Sequence, residues 1–268
     1  MKPARLRTPP HASARLRNLA VLATAPFWLP IQCLRHRGHF FDGIERAIDA
    51  LFREAPFRHA AQRAGIQRVN PFVRFPGIDR EQVFLVPGHW TSSHEQIEYP
   101  LLAALCSLLK PQNIFEFGTY FGEATLMFAK ASPDARIQTL NIPEDVAPSQ
   151  GISAIQAGEL ISNSQIGKLF KGTPEENRIT QILCDSAKFD DSERQQQYDF
   201  IWVDAGHSYE NVMTDSRHAL KMVSPGGHVF WHDFDSSQPG VVRALTEIAR
   251  EHKLFWIEKT SIVGFEKL

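Results

Sequence analysis

Four side chains in the second half of the sequence have the chemistry for proton transfer or for holding a cation. Asp204 and His207 lie in Val203-Asp-Ala-Gly-His-Ser-Tyr209, and His232 and Asp233 in Phe230-Trp-His-Asp-Phe234. An unperturbed imidazole titrates at about 6.5, so His207 or His232 is the expected general base near neutral pH. Asp204 and Asp233 offer an alternative, a pair of carboxylates that chelates a divalent ion. Oxygen donors alone favour Mg2+, and a joining histidine admits manganese or zinc. The plainest reading leaves the acids as caps that orient loops.

Each pair follows an apolar run of strand type, Tyr198-Asp-Phe-Ile-Trp-Val203 and His228-Val-Phe-Trp231. A third such run, Ile114-Phe-Glu-Phe117, leads into Gly118-Thr-Tyr-Phe-Gly122 and then into the helix-favouring Ala124, Leu126, Met127 and Phe128. Buried strand, glycine turn and helix start in succession form a ligand-binding turn, with free N–H groups at the helix N-terminus. The spacing Glu116-x-Gly118-x-x-x-Gly122 differs from the Gly-x-Gly-x-x-Gly of dinucleotide sites, and its acid suits a cationic ligand better than a pyrophosphate.

Other predicted strands end in polar residues: Arg136–Asn141, then Arg178 to Asp185-Ser186. Helices are expected before the central strand, to about Leu109 with Pro100 in its early part, around Ile155 to Ile166, along Val212–Val223 before Ser224-Pro-Gly-Gly227, and from Pro239. Leu254–Ile257 and Ile262–Phe265 read as a closing hairpin.

Five signals then stand in order: Glu116-x-Gly118-x-x-x-Gly122, the polar end Asn141, Asp185-Ser186, Asp204-x-Gly-His207-Ser-Tyr209, and Pro225-Gly-Gly followed by His232-Asp233. Together they make residues 90 to 268 resemble class I S-adenosylmethionine-dependent methyltransferases, of the kind called methyltransferase family 24. The resemblance implies an α/β, Rossmann-like fold: a mostly parallel seven-stranded sheet with an antiparallel last strand and helices on both faces. It implies S-adenosylmethionine as cofactor, with a divalent metal as a further candidate, and O-methylation of a small hydroxylated acceptor such as a sugar or secondary metabolite. Glu116, Gly118, Thr119, Tyr120, Gly122, Asn141, Asp185, Ser186 and Asp204 would hold the cofactor, and His89, Trp90 and Glu95 would belong to a lid. Asn141 departs from the family pattern, where an acid takes the ribose hydroxyls; an amide still bonds a diol but without charge.

The chain has 268 residues and 43% hydrophobic content, enough for one large core. Its net charge of −1 conceals an asymmetry. Residues 1 to 41 hold seven basic groups and no acid, leaving 22 of the 29 basic residues against all 30 acids elsewhere. An acidic body argues against nucleic acid as partner. Cys33, Cys106 and Cys184 lack metal-ligand spacing and read as reduced thiols of a cytoplasmic protein. The expected divisions are a basic, apolar segment over 1–40, a helical cap or linker over 41–88, and the methyltransferase-like domain over 89–268. Phe41, Ile44, Ile48, Leu51 and Phe52 recur at helical spacing. Residues 1–37 suit peripheral membrane contact, or packing on the body or in a homo-oligomer. The competing readings are a nucleotide-dependent oxidoreductase and a non-catalytic or membrane-associated protein that retains the fold.

Overall fold

The apolar runs become neighbouring strands of one sheet. The computed structural model describes residues 55–81, 83, 95–146 and 161–268, and His59–Leu268 forms one unit by its internal contacts. In chain order the elements are α1 (Ala55–Arg63), β1 (Gln67–Val69), α2 (Pro71–Arg74), α3 (Glu95–Leu109), β2 (Asn113–Phe117), α4 (Glu123–Ala131) and β3 (Arg136–Asn141). There follow β4 (Ile179–Leu183), β5 (Tyr198–Val203), α5 (Tyr209–Met222), β6 (Val223–Trp231), α6 (Pro239–Ile248), β7 (Phe255–Ile257) and β8 (Val263–Glu266). The basic segment, the 41–52 periodicity, Cys33, His89, Trp90, Ser92, Ser93, the Glu95 side chain and most of the Ile155–Ile166 helix lie outside the described residues. The part of that expected helix that is described is not helical, and 163–166 is turn.

The strand order is β1-β7-β8-β6-β5-β2-β3-β4. β2 pairs in parallel with β3 and β5, β5 with β6, and β3 with β4. β8 runs antiparallel to both β6 and β7, as the hairpin pattern predicted. The sheet has eight strands among the described residues, where seven were expected. The extra one, Gln67–Val69, lies in the stretch taken for a cap or linker and pairs in parallel with β7; three residues between Gly65-Ile66 and Asn70-Pro71 give too short a pattern to read. The predicted turn Ser224-Pro-Gly-Gly227 also falls inside a strand. β6 starts at Val223, and its register against β5 shifts between Tyr198 and Phe200, which accommodates the proline and glycines.

Burial explains why β2 is apolar on both faces: Ile114, Phe115 and Phe117 have no exposed surface. Leu102, Leu105, Met127 and Phe128 from α3 and α4 join Ile114, Ile137, Phe200 and Trp202 in one core cluster. Phe115 and Phe117 instead meet Phe189, Tyr198 and the stacked His218. The chain runs outward from β2 through β3 to β4, then returns to the other side of β2 as β5. That reversal opens a crevice at the carboxyl ends of β2 and β5, where open parallel sheets bind ligands.

Candidate active site

The glycine turn sits at this reversal. Gly118 follows β2 with φ +102°, and a Cβ there would lie 2.0 Å from the Asp204 carbonyl oxygen after β5. The two strand ends therefore touch through backbone, which only glycine permits. The turn continues through Tyr120, at φ +47°, to Gly122, which starts α4. Asn141 at the end of β3 braces it: Oδ1 accepts from Tyr120 N at 3.0 Å, and Nδ2 donates to the Ile142 carbonyl at 2.9 Å. Gly167 N and Leu169 N donate to the carbonyls of Tyr120 and Phe121, laying the 161–173 segment against the turn. Thr119 is buried, its hydroxyl 2.6 Å from that of Thr139.

Glu116 was expected to present an anion. Its side chain is instead fully buried, with Oε2 accepting from the hydroxyls of Thr125 and Thr139. Burial pushes its carboxyl up to about 8, against the pull of those hydroxyls, so at neutral pH it is largely neutral. At the end of β4, Asp185 caps the turn Ser186–Lys188 by accepting from Ala187 N through Oδ1. Its Oδ2 is buried and has no hydrogen-bond partner among the described residues, although the Lys188 ammonium lies 4.0 Å away. A buried carboxylate oxygen left open is the acceptor that an exocyclic amine would need.

Asp204, His232 and Asp233 converge after β5 and β6. His232 Nδ1 is 3.3 Å from Asp204 Oδ1 and 3.4 Å from Asp233 Oδ1, and His232 Nε2 is 2.9 Å from Glu98 Oε2. Asp233 divides its oxygens, sending Oδ2 to within 2.7 Å of His207 Nε2. It does so from φ +58°, a left-handed conformation that costs energy outside glycine and concentrates at functional sites. A cavity of about 10 Å³, room for one water-sized body, is lined by Asp204, His207, His232 and Asp233.

Charge distribution revises one role. Burial alone would push the His232 proton off, but the Asp204 charge and hydrogen bonds to Asp204, Asp233 and Glu98 outweigh it and hold the ring protonated well above its ordinary range. The arrangement thus favours the charged form of His232, which bears against its expected role as base. Asp233 is correspondingly ionised: burial opposes its charge, but the hydrogen bonds and charges of His207 and His232 outweigh it. Glu98 behaves likewise, burial being overcome by His232 and the Ser261 N–H. Burial and the Asp204 charge raise Tyr99, keeping its hydroxyl a donor.

Three carboxylates around one ring require a cation among them, and a metal ion can replace the Nδ1 proton. Asp204, His232 and Asp233 each offer a ligand atom within 4.8 Å of the others, and Glu98 on the far nitrogen supplies the orienting carboxylate usual behind a metal-bound histidine. The donor set thus fits a divalent ion. Sequence reasoning missed Glu98, which is 1% exposed. A signal existed, since Glu98 shares the i, i+4, i+7 stripe of α3 with the buried Leu102 and Leu105.

Strand order, antiparallel last strand and a glycine turn at the reversal define a class I, Rossmann-like methyltransferase fold. The family model described as a methyltransferase domain matches residues 115–234. No curated protein matches the chain. Among solved structures, it is similar to an O-methyltransferase from Bacillus cereus in complex with SAH, at 18% identity over 84% of this chain and 97% of that one, with a TM-score of 0.46. It is similar also to the O-methyltransferase TomG from Streptomyces achromogenes, involved in tomaymycin synthesis, in complex with SAM. That pair shares 17% identity over 84% of this chain and 96% of the other, with a TM-score of 0.42. At such identities, function has to be read from this chain's own site.

Proposed function

We propose that the chain is an S-adenosylmethionine-dependent O-methyltransferase acting on a small hydroxylated molecule. The observation that carries this is the meeting of the Gly118 turn with the Asp204–His232–Asp233 cluster at one strand reversal. The turn Gly118, Thr119, Tyr120 and Gly122 would receive the cofactor, with Asn141 bracing it and Asp185 and Ser186 at its base end. Bound there, the cofactor supplies a methyl group on a sulfonium for an acceptor oxygen. Bound at Asp204, His232 and Asp233, a divalent ion supplies a Lewis acid that makes an acceptor hydroxyl more acidic. The protein's share is positioning, worth on the order of 7 to 11 kcal/mol in well-aligned cases, and a proton acceptor, worth about 10²- to 10⁴-fold. His207, oriented by Asp233 and partly exposed, is the base in this reading.

Within the same proposal, residues 1–40 precede the domain as a basic segment suited to membrane or subunit contact. Among the described residues no helix is long and apolar enough to cross a membrane. Cys106 and Cys184 are free thiols, which fits a reducing, cytoplasmic setting.

The test is calorimetric titration of the full chain with S-adenosylhomocysteine, followed by a screen of sugars, phenols and diols for acceptor-dependent release of that product, with and without EDTA. Saturable binding and EDTA-sensitive turnover are expected; absence of binding in every condition overturns the proposal.

A further inference from the structure

The turn after β4 is gripped from beneath by two residues of α5. The Ser186 carbonyl lies 3.0 Å from His218 Nε2, while His218 Nδ1 lies 2.7 Å from Asp191 Oδ2, which Lys221 also approaches at 3.4 Å. Both ring nitrogens thus face acceptors, so the ring is fixed in orientation. His218 is further sandwiched by Phe117, stacked at 6.3 Å, and Phe189, edge-on at 5.6 Å. One helical turn before it, the Asp215 carboxyl accepts the Ser186 hydroxyl. Asp215 is 1% exposed, and its Oδ1 is buried with no hydrogen-bond partner among the described residues.

A helix packed on a sheet for stability alone would present apolar side chains at these positions, as it does at Val212 and Ala219. Two polar groups at i and i+3 converge instead on the carbonyl and hydroxyl of a single turn residue. That residue adjoins Asp185, whose Oδ2 is the other buried carboxylate oxygen of this corner without a hydrogen bond among the described residues, faced only by the Lys188 ammonium at 4.0 Å. An unpartnered buried acceptor is costly and persists only where its surroundings hold it.

We propose that Asp215 and His218 are positioning residues for base recognition, fixing the Asp185–Ser186 turn so that Asp185 Oδ2 is kept open for the exocyclic amine of an adenine ring. The inference rests on the proposed cofactor. It adds to that reading the part of the fold that makes the site selective for an amine-bearing purine. Burial pushes the Asp215 carboxyl up to about 7, against the Ser186 hydroxyl and the charge of His218. An asparagine there resembles the protonated acid and still accepts from Ser186.

The experiment compares two ligands, S-adenosylhomocysteine and S-inosylhomocysteine, in which a carbonyl replaces the amine. Calorimetry would be run on the full chain with wild type, Asp185→Asn, Asp215→Ala, Asp215→Asn, His218→Ala and Ser186→Ala. Wild type should prefer the adenosyl ligand by tenfold or more. Asp215→Ala, His218→Ala and Ser186→Ala should each lose about tenfold in adenosyl affinity with inosyl affinity held within about twofold, and Asp215→Asn should stay within about threefold of wild type. In the Asp185→Asn background the further losses should vanish. Ser186→Ala removes the hydroxyl half of the grip and leaves the carbonyl contact of His218 in place, without a change on the helix itself, so it carries the test if a helix variant does not fold. Wild-type adenosyl affinity in the folded alanine variants overturns the inference, as does equal loss of both ligands. So does a wild type that binds both ligands equally well. A wild type that binds neither overturns the proposed cofactor itself.

Discussion

Glu98 Oε2 stands 2.9 Å from His232 Nε2, so the helix that precedes the central strand is tied to the strand-end cluster through one imidazole. The Ser261 N–H donates to the other Glu98 oxygen, which places the carboxylate between α3, β6 and the start of β8. Glu98→Gln keeps the shape but removes the charge that orients the ring. Losing such an orienting group typically costs about 10- to 100-fold in activity. Turnover should fall by that amount, with S-adenosylhomocysteine affinity within about twofold of wild type. Steady-state rates beside calorimetric Kd values check this, and an unchanged kcat would detach Glu98 from the site.

Asp233 holds its place from a left-handed backbone, φ +58°, a region asparagine tolerates far better than most residues. Asp233→Asn therefore removes the carboxylate while leaving the turn intact. Response of turnover to added magnesium or manganese should disappear, and the rate should fall by about 100-fold or more if the acceptor proton is handled here. Asp233→Val should add a loss of about 1–3 kcal/mol in stability from the strained conformation. Metal titration of the rate separates the first effect, and urea unfolding the second.

The parallel sheet was legible because β2, β5 and β6 are continuous apolar runs ending in Gly118, Asp204 and His232. Such runs announce burial on both faces. The strand Gln67–Val69 was not, since Gln67 and Arg68 are polar and exposed and only Val69 is apolar and part-buried, which gives neither alternation nor an apolar run. The site was legible as a set of strand-end polar residues but not in its electrostatics. Whether Glu116 faces a ligand or two threonines, and whether His232 keeps its proton, depends on residues 9 to 134 positions away along the chain. Spacing rules do not reach that far.

Gly118 offers a test of the strand junction. A methyl group there would lie 2.0 Å from the Asp204 carbonyl at φ +102°, so Gly118→Ala must separate two strand ends as well as adopt an unfavourable backbone. A loss of about 2 kcal/mol or more is expected. Loss of cofactor affinity in this variant would then report on the fold as much as on contact with a ligand. Urea midpoints, read with circular dichroism, decide: a chain of wild-type stability that merely fails to bind would contradict the packing described.

Glu116 sets a pH dependence whose sign follows from its burial. The native carboxyl is raised to about 8 from an ordinary 4.5, so between these values the folded chain retains a proton that the unfolded chain has released. The unfolded state then binds fewer protons, and stability falls as pH rises. This contribution is complete below pH 4.5, declines across the interval and levels off beyond pH 8. The steepest slope is about 1.4 kcal/mol per pH unit. Glu116→Gln resembles the protonated acid, keeps an acceptor for Thr125 and Thr139, and has no proton to lose. The stability of the variant relative to wild type should therefore climb between pH 5 and pH 8, by a total on the order of 4 kcal/mol. Urea unfolding of both chains at each pH measures the difference directly, cancelling titrations common to the two. A difference that does not change with pH would mean that Glu116 is already ionised in the folded chain, with the threonine hydroxyls outweighing its burial.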